Sequence, residues 1–218
     1  MKNKKIAVLT SKESWFMPYA KRFVNLLKKR KYNAYLFSRH EDINEEFEVV
    51  FILSYFRIIK SKYLKRHKYN LVVHESSLPK GKGWSPLFWQ ILEGKNKIPI
   101  VLFQAGKKMD DGDIYIKDYI RLKGYELNAE VRKSQATKTI GLCLKFLKMQ
   151  DKLKPRKQYG RMSFYRKRIP ADSELDINKT IEEQFNLLRI VDNKYFPAFF
   201  YRKGNKYILR VYKEKLKG

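Results

Sequence analysis

Leu71-Val72-Val73-His74-Glu75-Ser76-Ser77-Leu78-Pro79-Lys80-Gly81-Lys82-Gly83-Trp84-Ser85-Pro86 is the stretch around which the chain is organised. Leu71, Val72 and Val73 read as a short apolar strand, and they deliver His74 to a loop whose glycines and prolines suit neither a helix nor a strand. A helix comes next and ends near Glu93-Gly94, where glycine favours a stop. A second apolar strand, Ile98 to Phe103, leads to the acidic turn Met109-Asp110-Asp111-Gly112-Asp113. A histidine and an aspartate are therefore expected just past the C-terminal ends of neighbouring strands. In an open α/β sheet that edge is where ligands bind.

Upstream, Lys5 to Thr10 reads as a buried first strand. The helix after it has Ser14 as a candidate cap, Pro18 in its first turn and Phe23, Leu26 and Leu27 as its apolar stripe. The connecting loop, Thr10 to Trp15, has no Gly-x-Gly-x-x-Gly, so a dinucleotide fingerprint is absent. Asn33 to Phe37 is a second strand. Glu48 to Leu53 is a third, continuous and β-branched as a strand covered on both faces should be. Strands alternating with helical segments indicate an α/β fold with a Rossmann-like, mostly parallel sheet.

With 218 residues, the chain can form one substantial domain with an appendage. Its 49 Lys and Arg against 22 Asp and Glu give a net charge of +27, which would attract polyanions. The lysines are spread along the sequence, however, so a nucleic-acid partner is not expected. The single cysteine, Cys143, excludes an internal disulfide framework and a cysteine-rich metal site. It reads as a core thiol and favours a reducing cytoplasm. No apolar run approaches the roughly 20 residues of a membrane span, and a soluble protein is expected.

The pattern His-x-Ser-x-Leu-Pro-x-x-x-Gly from His74 to Gly83, then a helix, a strand and Asp-x-Gly-x-Ile at Asp110 to Ile114, resembles the 10-formyltetrahydrofolate-dependent formyltransferases. Trp84-Ser85-Pro86 suits their sugar N-formyltransferase branch. The resemblance implies His74 and Asp110 as the catalytic pair, with Asp111 and Asp113 as close competitors for the aspartate role. The same turn could instead be a hairpin with Gly112 at positive φ, or a weak cation site. No metal is implied. The segment after the third strand is similar to one whose backbone hydrogen-bonds the pterin, which implies Tyr55, Phe56, Arg57, Ile58, Ile59 and Met109 as folate-binding residues. For the acceptor it implies Ser76, Lys80, Lys82, Trp84 and Arg189. Lys80 and Lys82 could attract phosphates or a folate glutamate tail, or form a solvated basic turn. Trp84 could stack on a base or sugar or cover the sheet edge, and Arg189 could reach a phosphate or form a surface ion pair.

In one position the sequence departs from the family, whose motif is Asn-x-His-x-Ser: position 72 is Val. That asparagine is understood to help bind the developing oxyanion. Asn70 is no replacement, lying roughly 13 Å from His74 along a strand. Either His74 or a bound water takes more of the oxyanion role, or an amide or hydroxyl from elsewhere fills the gap, with Gln104 and Ser54 as the candidates.

Ile114 to Leu122 reads as a further strand and Glu126 to Met149 as a helix buried through Leu127, Val131, Ile140, Leu144 and Leu147. Lys152 to Tyr165 is basic and irregular, a candidate linker between a catalytic domain, 1–150, and an extension, 151–218. The extension should hold a short helix, with Asp176 in its cap region and Ile181, Phe185 and Leu188 on its apolar face, and a β-hairpin turning at Gly204-Asn205. Its sequence also resembles the region C-terminal to the catalytic domain in formyltransferases acting on nucleotide-linked amino sugars and methionyl-tRNA. The chain is too short for the further domain of the tRNA enzymes, which favours the sugar branch. The expectation is a cytoplasmic sugar N-formyltransferase that uses 10-formyltetrahydrofolate and a nucleotide-linked amino sugar, makes a bacterial surface glycan precursor, and could pair as a homodimer through its tail. The alternatives are a folate- or RNA-binding homologue with weakened catalysis, and a formyltransferase acting on another amine such as a charged tRNA.

Overall fold

The computed structural model describes residues 4–214. The chain forms β1 (Lys5–Leu9), α1 (Met17–Lys29), β2 (Asn33–Phe37), β3 (Phe47–Ile52), the single turn α2 (Ser61–Leu64) and β4 (Tyr69–His74). Then come the two-residue β5 (Lys82–Gly83), α3 (Pro86–Leu92), β6 (Lys97–Gln104), β7 (Ile114–Arg121) and α4 (Asn128–Met149). The tail adds the two-residue β8 (Phe164–Tyr165), α5 (Phe185–Ile190), β9 (Ala198–Arg202) and β10 (Asn205–Leu209). The main sheet has the order β2-β1-β3-β4-β6-β7, and β2, β1, β3 and β4 run parallel. This is the Rossmann-like α/β fold expected from the sequence. Among the described residues no helix is long and apolar enough to cross a membrane.

Strand β6 runs against both its neighbours, with His74 opposite Val101 and Gln104 opposite Leu71. This corrects the expectation of two strand ends side by side. Because β6 finishes beside Leu71 rather than His74, the 105–113 loop must return along the sheet to bring its aspartates near the histidine.

The two faces of the sheet are covered differently. Phe23 and Leu27 of α1, Leu87 and Ile91 of α3, and Leu142 and Phe146 of α4 share one core with Ile6, Val8, Val49, Phe51, Leu71 and Leu102. The other face holds Ala7, Leu9, Val50 and Ile52 beneath Ile43, Tyr55, Ile59 and Leu64, with a smaller cluster of Leu78, Val101, Phe103 and Ile114 beside them. Partly buried Val72 touches both clusters. Alternate strand residues share a face, so His74 stands with Val72 on this loop-covered side. Directly opposed residues also share a face, which puts Gln104 with Leu71 on the helical side. Gln104 is thereby removed as a replacement for the family asparagine.

Several sequence readings shift. The last long helix begins at Asn128 rather than Glu126, because the Glu126 carboxylate accepts the Lys123 and Gly124 amide hydrogens in the preceding turn. Its buried stripe runs through Val131, Ala136, Leu142, Cys143 and Phe146, leaving Ile140 and Leu144 at the margin. Burial pushes the Cys143 thiol well up, as a core thiol requires. The candidate linker is instead a strap: Arg156 exchanges both backbone hydrogen bonds with Ile114, and β8 pairs in parallel with β5. The tail helix starts at Phe185, since the Asp176 carboxylate closes a turn on Asn178, and Ile181 is exposed. The hairpin turns on Lys203-Gly204, one residue early, and both take the positive φ of a tight two-residue loop.

Arg189 also lies elsewhere than expected. It is only 1% exposed, and its guanidinium bonds Asn96, Asn186 and the carbonyl and carboxylate of Glu126. A charge so enclosed needs its partners, so Arg189 staples the tail helix to the turns that hold Asn96 and Glu126 and has no reach to a phosphate.

Candidate active site

Strand β4 ends at His74, whose Nε2 lies 2.8 Å from the Gly81 carbonyl oxygen. Since a carbonyl only accepts, Nε2 carries the hydrogen and Nδ1 is the basic nitrogen of the neutral ring. Among the described residues Nδ1 has no hydrogen-bond partner. Asp110 approaches from the returning loop, its Oδ2 3.8 Å from Nε2, and both side chains are largely buried. The same Oδ2 accepts the Gly83 amide hydrogen at 2.9 Å. The histidine loop thus fixes its own ring through one carbonyl and the incoming carboxylate through one amide.

The aspartate turn is tightly wound. Asp110 itself adopts φ 51°, a left-handed conformation that Asp tolerates better than most residues. The turn does not place Gly112 at positive φ. Gly112 is required for a different reason: a Cβ there would lie 1.5 Å from the Gln104 carbonyl oxygen. Asp111 diverges from Asp110 and pairs with Lys82 at 3.1 Å. Lys82 is therefore neither part of a solvated turn nor free for a phosphate, because its side chain is only 5% exposed. Lys80 remains exposed.

Around this pair the other expected residues separate into groups. The hydroxyl of Tyr55 lies 2.8 Å from Nδ1 of His40, and Tyr55 packs with Ile59 inside the loop-side cluster. Phe56 is half-exposed, with its backbone N–H donating to Ser11 Oγ and its ring 6.3 Å from that of Trp84. Arg57 is engaged by Glu41 in a forked pair at 2.6 and 3.3 Å. Ile58 is 85% and Met109 54% exposed, which is unusual for such side chains. Phe56 beside Trp84, with exposed Ile58 and Met109, supplies apolar side chains of the kind that a flat heteroaromatic ring requires. Ser76 is buried, and its Oγ has no hydrogen-bond partner among the described residues. Ser54 adopts φ 50° where the chain leaves β3.

Two layers that support the site escape a reading of the sequence. Beneath the histidine loop, burial raises the Glu75 carboxyl above its ordinary range, opposed by His74, Gln135 and Arg132. The Arg132 guanidinium sits 4.2 Å from the ring centres of both Trp15 and Phe88, and burial pushes it down to about 10. Across the top runs the strap. Ser163 Oγ accepts the Gly81 amide hydrogen at 3.0 Å, and its carbonyl accepts that of Lys82 at 2.9 Å. Gln158 Nε2 donates to the carbonyls of Asp110 and Gly112, both at 2.9 Å. Apart from that of Glu75 with adjacent His74, these contacts join residues far apart in the chain, where local patterning carries no signal.

Known proteins share this arrangement of chain. The chain is 28% identical over 78% of its length to the bifunctional polymyxin resistance protein ArnA of Wigglesworthia glossinidia brevipalpis. Its structure superposes on a methionyl-tRNA formyltransferase from Clostridium thermocellum with a TM-score of 0.80, 22% identity and coverage of 97% of this chain and 94% of that one. On a sugar N-formyltransferase from Shewanella sp FDAARGOS_354 the TM-score is 0.71 at 15% identity, covering 98% and 99%. The chain spans between 26% and 52% of the length of the curated relatives it matches first. The formyl transferase family model matches residues 7–140, the segment that runs from within β1 through β7 and holds His74 and Asp110, and by that match the chain belongs to the formyl transferase family.

Proposed function

We propose that this protein is a cytoplasmic sugar N-formyltransferase that takes its formyl group from 10-formyltetrahydrofolate and delivers it to the primary amine of a nucleotide-linked deoxyamino sugar, a step in bacterial surface glycan biosynthesis. The observation that carries this reading is His74 beside Asp110, 3.8 Å apart and largely buried on the loop-covered side of the sheet, with exposed Phe56, Ile58 and Met109 in the loops that follow β3 and β6. Residues 1–150 would carry the transfer, and residues 151–218 the extension and the strap.

When bound, 10-formyltetrahydrofolate supplies an activated formyl carbon. Phe56, Ile58, Ile59 and Met109 would hold its ring system, with Tyr55 setting the pocket floor through His40. Arg57 is held by Glu41, so it shapes the rim rather than contributing a free charge. Nε2 of His74 is engaged by the Gly81 carbonyl, which leaves Nδ1 as the nitrogen that, carrying a proton, would donate to the acyl oxygen as negative charge develops. Asp110 supplies the counter-charge at 3.8 Å and can accept the proton that the amine sheds. Val72 gives the same face an apolar floor where the family places an amide donor, so His74 carries more of the oxyanion role. Exposed Lys80 and partly exposed Trp84 would meet the acceptor, while the Ser76 hydroxyl is buried.

The methionyl-tRNA formyltransferase neighbour and the charge of +27 favour a second reading, in which the amine belongs to a charged tRNA. Incubating the protein and formyl donor with a panel of nucleotide-linked amino sugars beside an aminoacylated tRNA separates the two. Formylation of a sugar supports the first reading, and formylation of the tRNA alone replaces it with the second.

A further inference from the structure

The strap has a further role. From the geometry we infer that Gln158 is a positioning residue for formyl transfer, one that holds Asp110 in place through the backbone of the aspartate turn. This rests on the formyltransferase reading of the same site. Two carbonyl oxygens, those of Asp110 and Gly112, converge on Gln158 Nε2 at 2.9 Å each, and only the NH₂ side of the amide can meet them. They bracket the turn that Asp110 enters at φ 51°. Without a donor at this point, the two carbonyls would lose this partner at a turn whose first residue, Asp110, already holds a strained left-handed conformation. The other end of the same amide, Oε1, is buried without a hydrogen-bond partner among the described residues. Such an arrangement is costly for folding alone, and it sits where the returning loop must be held against the sheet.

The strap has independent anchors on both sides of Gln158. Arg156 is paired to Ile114 at the start of β7, and Ser163 grips the Gly81 and Lys82 amides of the histidine loop. Gln158 therefore lies on a short crosspiece between the loop that carries Asp110 and the loop that fixes His74. Removing its side chain leaves these anchors in place and frees the turn alone.

The test compares the full-length protein with Gln158→Ala and Gln158→Glu, measuring kcat and KM for donor and acceptor as a function of pH, and hydrogen exchange at the Gly83 amide. Gly83 N–H donates to Asp110 Oδ2, so its exchange reports whether Asp110 stays in place, whatever the activity. The expected result for Gln158→Ala is a kcat lower by about tenfold to a hundredfold, an unchanged donor KM and faster Gly83 exchange. Gln158→Glu should be worse at neutral pH, where a carboxylate faces two carbonyls. It should recover towards the wild type as pH falls and the protonated acid regains a donor. Wild-type kcat with unaltered Gly83 exchange in both variants would overturn the proposal. If the wild-type protein formylates no amine, the function reading fails. The exchange data then decide the role of Gln158 by themselves: faster exchange in Gln158→Ala upholds it as the residue that positions Asp110, and unchanged exchange rejects it.

Discussion

The Gly83 amide donates to Oδ2 of Asp110 at 2.9 Å, and through that bond the histidine loop holds the aspartate that serves it. Gly83 has φ 96°, and a Cβ there would lie 2.4 Å from the Tyr165 carbonyl oxygen. Gly83→Ala should therefore displace both the strap and Asp110. The expected outcome is a loss of kcat of about a hundredfold with a clear fall in Tm, measured by steady-state kinetics and thermal unfolding.

Val72 occupies the face of His74 and packs against two apolar clusters. Val72→Asn would restore an amide donor two residues before the histidine. A single oxyanion donor is worth roughly a hundredfold to a thousandfold, so kcat should rise, by less than that because the surroundings were shaped for valine. Stability should fall by about 1–3 kcal/mol from the partly buried amide. Kinetics and denaturant unfolding of one variant check both.

Arg189 lies against Glu126, with side-chain exposures of 1% and 12% at 3.3 Å. Breaking such a pair leaves a buried charge alone, so Arg189→Ala should cost about 3–5 kcal/mol. Since the residue does not face the site, KM for a phosphate-bearing acceptor should stay unchanged in whatever fraction remains folded.

Glu126 gives a pH dependence. Burial works to raise its pKa, but the amide hydrogens of Lys123, Glu126 itself and Gly124, with Arg189, outweigh it and hold the carboxyl below its usual 4.5. A depressed carboxyl contributes stability that is present above the unfolded value and lost as pH falls through the folded one. The Tm of the wild type should drop on acidification below about 4.5, and Glu126→Gln, less stable at neutral pH, should show a shallower drop there.

The sheet, the histidine loop and the aspartate turn were legible because each rests on a local pattern: apolar β-branched runs, glycine punctuation, and residue types at fixed spacing. The direction of β6 was not, because an apolar strand reads the same either way along the sheet. Arg189 looked like a surface cation, since nothing adjacent to it announces Glu126 or Asn96. The strap looked like a linker for the same reason. Its basic composition says nothing of Gln158 and Ser163, whose partners lie in loops distant in sequence. The enclosed Glu75 and Arg132 were likewise invisible, because neither partner is within a helical turn of the other.

That His74 and Asp110 carry formyl transfer is tested most directly by following tetrahydrofolate release together with the mass gain of one CO unit on a nucleotide-linked amino sugar, for the wild type, His74→Ala and Asp110→Asn. Turnover is expected in the wild type, with losses of about a hundredfold to ten-thousandfold in each variant and folate binding retained. Turnover that persists in both variants, or a wild type that binds folate and formylates no amine, would contradict that assignment.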